Sequence, residues 1–594
     1  MHVQRTTLRA WFDGALALLA ESGHDTTAGH LPPSVCTGGG GGDDPPRVRA
    51  PGVWRCDDLS PRIARSHAPC SFVRRWSVLL TTLLACAMTG SFSGEARGQS
   101  LTELWDPSPT ENPFPNTGAD QGVAMAAYFD NPDSYVYVTG WGTNHGGGTH
   151  IVTYKYDADN GDLLDGPVYF PPATELWSET IHKPTSIVVD PANGDVYIAG
   201  FSENGEGDFD YILLKYDVDL APDTNWAAVS PDPAGVRRYD GGVGNDKAVG
   251  VGLVIRDGEG NEPSTVPLVV ITGTSRGSSN DDVVTIAYWR EDGDQDWLDR
   301  YNGPGNGNDE EVEMTIIDIT TLDDELGTNI FIGASVWNGS TNGFDIQALR
   351  YLPSGGTPYW VSDPYNSPAD GNDFCTGVAS VATGPGTGSL LIVIGSTTAD
   401  PPAADDTDYV TIALNVDDGT YTEAWEDDGF GDGVRVWGPG PEKSPDVPTD
   451  VSISGNIVWV TGRAAHGEAF DIGVIAYALS NGDVYSSGLI GSQDDTVDER
   501  AVASTSVGPC YITGWVYDPN QDSAQIRLVI YKVSIDNQFE IVVDAQQVFY
   551  PEDVMESKAT AILFSAAAPD GVFVTGRSGT NMWGLDYVTI KYQP

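Results

Sequence analysis

Acidic side chains recur at two regular places in this sequence, and carboxylates at such spacing could bind a cation or transfer protons. One set precedes runs of small residues, and we call its members the leading acids: Asp120, Asp246, Asp309, Asp373, Asp446, Asp498 and Glu556. A second set opens runs of alternating polarity, and we call its members the linking aspartates: Asp210, Asp282, Asp345, Asp408, Asp471 and Asp586. Hard cations such as Ca²⁺ prefer oxygen ligands, whereas aspartates in turns accept hydrogen bonds from nearby main-chain N–H groups. Because the pattern repeats while catalysis needs one asymmetric site, we expect a mainly structural role.

Two further groups have the residue types of a metal site. Asp157, Asp159 and Asp162 lie together in the turn DADNGD, which lacks the Gly and Glu positions of an EF-hand loop but could hold a loosely bound surface Ca²⁺. His145 and His150 share the Gly-rich stretch WGTNHGGGTH. Flexible glycines position ligands poorly and the stretch offers no third ligand, so ordinary loop histidines are the better interpretation.

The sequence gives little support to catalysis. It contains no H-E-x-x-H metalloprotease motif and no Walker loop. Paired carboxylates for glycoside cleavage carry no signal, because among 85 acidic residues some pair always lies at a suitable separation. The leading interpretation is therefore a non-catalytic protein that requires no cofactor.

A repeated unit must position these side chains. Eight times a short apolar run ends in Gly, and about 16 residues later an alternating run ends, seven times out of eight, in Tyr. The glycines are Gly140, Gly200, Gly273, Gly333, Gly395, Gly462, Gly514 and Gly576. The second anchors are Tyr156, Tyr216, Tyr288, Tyr351, Leu414, Tyr477, Tyr531 and Tyr592. A period of about 62 residues indicates stacked copies of one supersecondary unit.

Each unit is predicted to consist of strands. Runs such as VYVTG are β-branched and aromatic, and we expect their Gly to adopt positive φ in a tight turn. Runs such as DYILLKY have the period of two that is typical of a half-buried strand. A strand of small residues, such as KAVGVGLVI, precedes them, and a weaker fourth segment with Trp or Tyr follows.

Four antiparallel strands repeated radially predict an all-β fold, a single β-propeller. The small-residue strand should be innermost, where the units converge. Eight repeats predict eight blades, with seven as the fallback if one unit is degenerate. The last unit ends at its third strand, so we expect LTELWDPS (101–108) to supply its fourth strand and to close the ring.

The phrase VYVTG followed by DYVTIKY resembles the bacterial SBBP-type β-propeller repeat over about residues 101–594. The resemblance implies the propeller fold and a secreted or surface-exposed protein, and it implies no particular activity. The chain departs from the short form of that repeat through longer loops, notably 220–237 and 397–408.

The N-terminal region predicts the compartment. Residues 1–72 lack a periodic apolar pattern, so we expect a disordered extension that is an artefact of the gene model. Residues 73–98 have the basic, apolar and small-residue parts of a signal peptide cleaved near Gly98, which leaves 99–594 as the mature propeller of a secreted protein. A lipoprotein anchored through Cys86 is the alternative. No other segment is apolar enough to span a membrane.

The net charge restricts the classes of possible binding partner, and the cysteine positions indicate the state of the thiols. The chain carries 85 acidic and 30 basic residues, for a formal net charge of −55. Repulsion therefore excludes nucleic acid and anionic membrane surfaces as partners. Only Cys375 and Cys510 lie beyond the predicted cleavage site, two units apart, and we expect two buried free thiols.

The leading functional interpretation is a monomeric module that binds an extracellular glycan, protein or peptide through its loop-rich acidic face. Aromatic residues predicted in those loops are the candidate contacts: Trp141, Trp337, Trp515 and Trp583. Packing against the neighbouring blade is the competing role for them. The alternative functions are an extracellular hydrolase or lyase with its centre at the channel mouth, which would show one deep asymmetric pocket, and a purely structural surface protein.

Overall fold

The structure is a computed structural model. It describes residues 119–593 apart from short gaps at 131–132, 173–178, 230, 258–264, 319–327, 341–342, 382–388, 399–406, 426–430, 439–444, 467–468, 492–496, 507, 518–524, 550–555, 566–570 and 581–583. The predicted extension (1–72), signal peptide (73–98) and closing segment (101–108) lie outside the described residues.

The described chain folds into 31 β-strands, which we group in chain order into eight units. Units 1 and 2 contain β1 (Asp120–Asp130), β2 (Asp133–Thr143), β3 (Thr149–Asp157), β4 (Leu163–Phe170), β5 (His182–Val189), β6 (Val196–Glu203), β7 (Phe209–Tyr216) and β8 (Val236–Tyr239). Units 3 and 4 contain β9 (Asp246–Asp257), β10 (Thr265–Arg276), β11 (Asp281–Trp289), β12 (Gln295–Tyr301), β13 (Glu310–Asp318), β14 (Thr328–Trp337), β15 (Phe344–Tyr351) and β16 (Trp360–Val361). Units 5 and 6 contain β17 (Phe374–Val381), β18 (Leu390–Thr398), β19 (Thr407–Asn415), β20 (Val434–Trp437), β21 (Val447–Ser454), β22 (Ile457–His466), β23 (Ala469–Ala478) and β24 (Val484–Ile490). Units 7 and 8 contain β25 (Asp498–Ser506), β26 (Cys510–Tyr517), β27 (Ile526–Ile535), β28 (Ile541–Val548), β29 (Glu556–Ser565), β30 (Gly571–Thr580) and β31 (Gly584–Tyr592).

Each unit is an antiparallel meander whose strands pair in chain order. Units 1 to 7 have four strands, and the described part of unit 8 has three. A single parallel bridge between Ile526 and Glu556 joins the sheets of units 7 and 8. Within the described ranges, the structure contains no helix with the length and apolarity needed to cross a bilayer.

The units are arranged radially. The first strand of each unit contacts the first strands of its neighbours, and β1 also contacts β29, so these strands line the axis as predicted from their small residues. Among the described residues, eight hydrophobic clusters fill the junctions between successive units. One of them joins unit 1 to unit 8, with Val138 and Tyr154 packed in the same cluster as Phe573. The predicted all-β propeller is confirmed.

Hydrogen bonds also join the first and last units. The Thr560 hydroxyl donates to the Gly122 carbonyl at 2.6 Å, and Arg577 donates to the Gln121 side chain at 3.2 Å. The same threonine contact links earlier neighbours, because Thr185 donates to the Ala248 carbonyl. The described units therefore already meet around the ring, while a fourth strand for unit 8 from residues 101–108 stays a prediction, and with it the complete blade count.

The third strands are more buried than their alternating sequence predicts. In β7 every residue after Phe209 is buried, including Lys215. The expected half-buried strand is wrong because each sheet is covered on both faces by its neighbours. Long runs of β-branched and aromatic residues suit that environment.

The repeated glycines have a different role from the one expected. Gly200 and Gly273 lie inside β6 and β10, do not end them, and do not adopt positive φ. Each lies opposite a β-bulge in the first strand of its unit. A Cβ at Gly273 would lie 2.1 Å from the Lys247 carbonyl oxygen, and one at Gly200 would lie 2.2 Å from that of Lys183. The glycine is therefore required by the close approach of the bulged strand.

Unit 4 departs from this pattern. Its bulge leaves two residues, Glu311 and Val312, without a partner in the register, and Gly333 pairs with Glu313 on the far side of the bulge. By register, Ala334 takes the position that glycine has in the other units. A Cβ on Gly333 would meet the Cys375 sulfur at 2.8 Å, a side chain rather than a main-chain carbonyl.

Candidate functional site

The leading acids hold the loops that bring the chain into each unit. Asp309 is fully buried, and its carboxylate accepts hydrogen bonds from the main-chain N–H groups of Gly303 at 2.8 Å and Trp337 at 3.1 Å. Asp373 accepts in the same way from Ser367 and Thr398. Each carboxylate thus ties the preceding loop to the end of the second strand, which is the capping role expected for aspartates that precede strands.

The linking aspartates lie beside the leading acids of the next unit. Asp210 accepts from the side chains of Asn204 and Arg238, and Asp282 accepts from those of Asn280 and Arg300. Burial, together with the charges of Asp282 and Asp281, raises the pKa of Asp309 to about 6, although its two main-chain hydrogen bonds act in the opposite direction. At the junction of units 2 and 3, Asp210 and Asp246 are thus a buried pair, and Asp282 and Asp309 are a second pair at the junction of units 3 and 4.

The pair Asp210 and Asp246, together with Asp240, is the only cluster of three potential metal ligands found within the described ranges. Ligand atoms of Asp210, Asp240 and Asp246 lie within 4.8 Å of one another. Asp246 accepts from the N–H groups of Gly241 and Arg276, so its oxygens already serve the fold.

The Asp157 turn is held by its own hydrogen bonds. The Asp157 carboxylate accepts from the N–H groups of Asp159 at 2.8 Å and Asn160 at 3.2 Å, and the Asn160 side chain accepts from the Asp162 N–H. The ligand atoms of Asp157, Asp159 and Asp162 do not all lie within 4.8 Å of one another, as those of Asp210, Asp240 and Asp246 do. Calcium binding here stays a prediction.

The letters G-x-S-x-G occur once, at Gly273–Gly277. In a hydrolase this motif places its serine on a strand-to-helix turn that exposes the hydroxyl. Ser275 instead lies inside β10 and is fully buried, and its hydroxyl accepts from Arg300 at 2.6 Å. The motif therefore provides no nucleophile.

Histidines break the symmetry of the carboxylate pairs. His150 takes the register position of a linking aspartate in unit 1, and His182 takes that of a leading acid in unit 2. Their ring centroids lie 6.3 Å apart. Burial lowers the pKa of His150 to about 4 and that of His182 to about 3, so both are neutral near pH 7. The expected neighbour of His150 was His145, which is exposed.

The tryptophans predicted as contacts lie in strands rather than loops. Trp141 is half-buried in β2 beneath the Lys183 ammonium group of the next unit, 4.1 Å from the ring centroid. Trp515 is half-buried in β26 between Arg500 and Lys558. Trp337 ends β14 and packs edge-on against Phe344. Packing therefore engages all three, and ligand contact through their remaining surface stays a prediction. Trp583 lies outside the described residues.

The two cysteines behave as expected. Cys375 and Cys510 are both buried and free. Burial raises the pKa of both thiols well above the usual range, so neither is a reactive thiolate at neutral pH.

A cleft of about 670 Å³ lies between units 2 and 3, on the face opposite the leading acids. The turn Asp190–Asp195, the loop after β7 and the turn after β11 line it. Lys215 at its wall donates to the Arg290 carbonyl at 2.7 Å and pairs with Asp223 at 2.5 Å and Asp195 at 3.3 Å. Arg290 pairs with Asp190. The cleft thus has ionic walls built from two units.

Tyr197 gives this cleft an unsatisfied polar group. Its side chain is fully buried, lines the cleft, and has a hydroxyl with no hydrogen-bond partner in the described structure. The equivalent hydroxyl in unit 1, that of Tyr137, donates to the Val218 carbonyl at 2.7 Å. The carbonyl equivalent to that of Val218 belongs to Arg290, which accepts instead from Lys215 and Trp226. Burial raises the pKa of Tyr197 above its usual range, so the hydroxyl stays protonated.

The cleft is acidic overall. Five carboxylates line it, against two cationic side chains. Asp217 and Glu291 are exposed at the rim, whereas Asp190 is buried. Sequence reasoning missed this site because its residues are ordinary members of the repeat. The unusual length of loop 220–237 was the available signal, since that loop forms one wall.

Comparison with known proteins gives distant likenesses only. No known family profile matches the sequence, and no curated protein matches it. BamB from Moraxella catarrhalis has 10% identity and a TM-score of 0.39, over 80% of this chain and 99% of that one. Drosophila Plexin A in complex with Semaphorin 1b has 9% identity and a TM-score of 0.33, over 84% and 88%.

A third solved structure is the quinohemoprotein alcohol dehydrogenase ADHIIG from Pseudomonas putida HK5. It has 12% identity and a TM-score of 0.36, over 86% of this chain and 81% of that one. The β-propeller fold of this chain is established by its own repeated sheets and their order. The resemblance to the SBBP-type repeat stays a prediction.

Proposed function

We propose that this protein is a secreted, non-catalytic binding module whose ligand presents a basic group to the cleft between units 2 and 3. The observation that carries the proposal is the buried Tyr197 hydroxyl, which lines an acidic cleft and has no partner among the described residues. A buried hydroxyl without a hydrogen bond is unfavourable, because it has lost its bond to water and gained none in return. A ligand that bonds to this hydroxyl therefore gains a hydrogen bond without breaking one between the hydroxyl and water.

The charge of the cleft favours a cation. Five lining carboxylates face two cationic side chains, and the rim acids Asp217 and Glu291 are exposed. The formal net charge of −55 adds long-range attraction for basic ligands. Of the extracellular ligands that the sequence left open, we therefore favour a peptide or protein segment with lysine or arginine over a neutral glycan.

The repeated acids support a non-catalytic role. Carboxylates such as Asp309 and Asp373 accept main-chain hydrogen bonds at the start of each unit. An acid so engaged serves the fold in every unit, whereas catalysis needs one position that differs.

The test is calorimetric titration with a lysine-rich peptide, a glutamate-rich peptide of equal length and a neutral oligosaccharide. Tyr197→Phe removes only the hydroxyl and is expected to weaken lysine-peptide binding by about fivefold, the value of one hydrogen bond. Tyr137→Phe is the matched control, because its hydroxyl is already bonded to Val218, and it should leave binding unchanged.

Charge is tested by a second pair of variants. Glu291→Gln at the rim should weaken binding, whereas Glu206→Gln, an exposed acid on the opposite face of unit 2, should not. Equal losses in these two variants would mean non-specific attraction to an acidic protein and would overturn the proposed site. Tight binding of the oligosaccharide alone would overturn the proposed ligand class.

A further inference from the structure

Four tryptophans form the same contact across four successive junctions. The indole N–H of each donates to a main-chain carbonyl in the turn that follows the third strand of the next unit. The pairs are Trp226 to Arg290 at 3.1 Å, Trp297 to Pro353 at 3.0 Å, Trp360 to Val416 at 2.8 Å, and Trp425 to Leu479 at 3.0 Å. All four rings are buried. We call this arrangement the docking contact.

Each docked ring lies against a glycine of the same turn. A Cβ at Gly293 would lie 2.7 Å from the Trp226 ring, and one at Gly482 would lie 2.5 Å from the Trp425 ring. A Cβ at Gly355 would lie 2.1 Å from the Trp297 ring, and one at Gly419 would lie 2.5 Å from the Trp360 ring. These glycines have positive φ, which other residues rarely adopt. The turn is thus shaped to receive an indole ring.

Unit 1 carries the same receiving turn. By register, Ala158 corresponds to Arg290 and Gly161 to Gly293, each at the same distance beyond the residue that pairs with the repeated glycine. Gly161 has a φ of 78°, compared with 73° for Gly293. The Asp157 carboxylate accepts main-chain hydrogen bonds within this turn, as Asp292 does in the turn of unit 3.

The carbonyl of this turn is also held in the same way. Lys591 of unit 8 donates to the Ala158 carbonyl at 2.8 Å, just as Lys215 of unit 2 donates to the Arg290 carbonyl at 2.7 Å. The Arg290 carbonyl oxygen accepts hydrogen bonds from both the Lys215 ammonium group and the Trp226 indole N–H. A carbonyl oxygen has two lone pairs, so a lysine and an indole can share it.

The tryptophan that matches this turn must come from the fourth strand of unit 8. No strand pairs with the outer edge of β31 in the described part of the chain. Outside the described residues, Trp105 lies 15 residues before the leading acid Asp120. At the four junctions with a docking contact, the tryptophan lies 12 to 21 residues before the leading acid of the next unit. A separation of 15 residues is therefore long enough for Trp105 to reach the turn of unit 1.

We propose that Trp105 docks on the turn 157–162 of unit 1, with its indole N–H donated to the Ala158 carbonyl and its ring against Gly161, and so ties the N-terminal segment across the junction of units 8 and 1. The occupant of the receiving turn is a segment of the same chain. The proposal is independent of the cleft and of its ligand.

Direct proximity is the first test. The photo-crosslinking residue benzoylphenylalanine, placed at position 105 of the full chain, is expected to crosslink to the peptide containing residues 157–162 of the same molecule. Crosslinks to another part of the chain, to a second copy, or to nothing would overturn the proposal.

Stability is the second test. Trp105→Phe removes the indole N–H and should lower the melting temperature by about 2 °C, as should Trp425→Phe at an observed docking contact. The natural sequence is the control for both variants. A Trp105→Phe variant as stable as the control, beside a destabilised Trp425→Phe, would also overturn the proposal.

Discussion

The imidazole rings of His150 and His182 lie 6.3 Å apart, in the register positions that Asp210 and Asp246 occupy at the next junction. Two neutral rings thus replace a pair of carboxylates. His182 is fixed by Ser202 at 2.7 Å and Thr180 at 2.8 Å, so its imidazole is oriented at both nitrogens.

This histidine pair makes the fold sensitive to acid. Burial lowers the pKa of His182 to about 3, whereas the unfolded chain protonates near 6.5, so the unfolded state binds more protons below that pH. Stability from this residue is complete above pH 6.5 and is lost as pH falls towards 3. At pH 5 the loss is about 2 kcal/mol.

His182→Asn should therefore lose less stability than the natural protein between pH 7 and 5, measured by urea unfolding. Equal losses would contradict the assignment, and His145→Asn at the exposed histidine is the control.

The glycine opposite the bulge should resist any side chain. Gly273→Ala places a Cβ 2.1 Å from the Lys247 carbonyl oxygen, so a strand must move, and we expect a loss of about 3 kcal/mol in the free energy of unfolding. Gly205→Ala is the control, because nothing lies within 4 Å of its Cβ. Gly333→Ala should be milder than Gly273→Ala, since the nearest atoms to its Cβ belong to side chains, with the Cys375 sulfur first at 2.8 Å, and not to a main-chain carbonyl. Equal effects at 273 and 205 would show that the bulge does not explain the repeat.

The leading acid Asp309 should contribute strongly to stability. Asp309→Ala leaves the N–H groups of Gly303 and Trp337 without their acceptor in a buried site, and we expect a loss of about 2 kcal/mol. Asp281→Ala nearby removes a partly exposed ion pair with Arg276 and should lose less than 1 kcal/mol. Chemical unfolding at pH 7 measures both, and a small loss for Asp309→Ala would argue for a role other than capping.

The cysteines should be unreactive until the protein unfolds. Both thiols are buried, and burial raises their pKa values, so native protein treated with iodoacetamide at pH 8 should yield unmodified peptides containing Cys375 and Cys510. The same treatment in 6 M guanidinium chloride is the positive control and should modify both. Rapid native modification of one peptide would mean that its junction opens readily.

The sequence alone determined the repeat, the all-β class, the order of strands within a unit and the innermost position of the small-residue strands. These features follow from local patterns, because strand propensity and residue size are carried by neighbouring residues. The burial of Cys375 and Cys510 followed in the same way.

Only the tertiary structure decided why Gly273 is glycine, which histidine lies beside His150, and which units enclose Tyr197. Each of these depends on contacts between strands or units that lie tens of residues apart in the chain, such as Lys247 with Gly273, His150 with His182, and Lys215 with Arg290. A sequence pattern records which residues repeat, but the distance between two repeats in space is set by how the sheets pack.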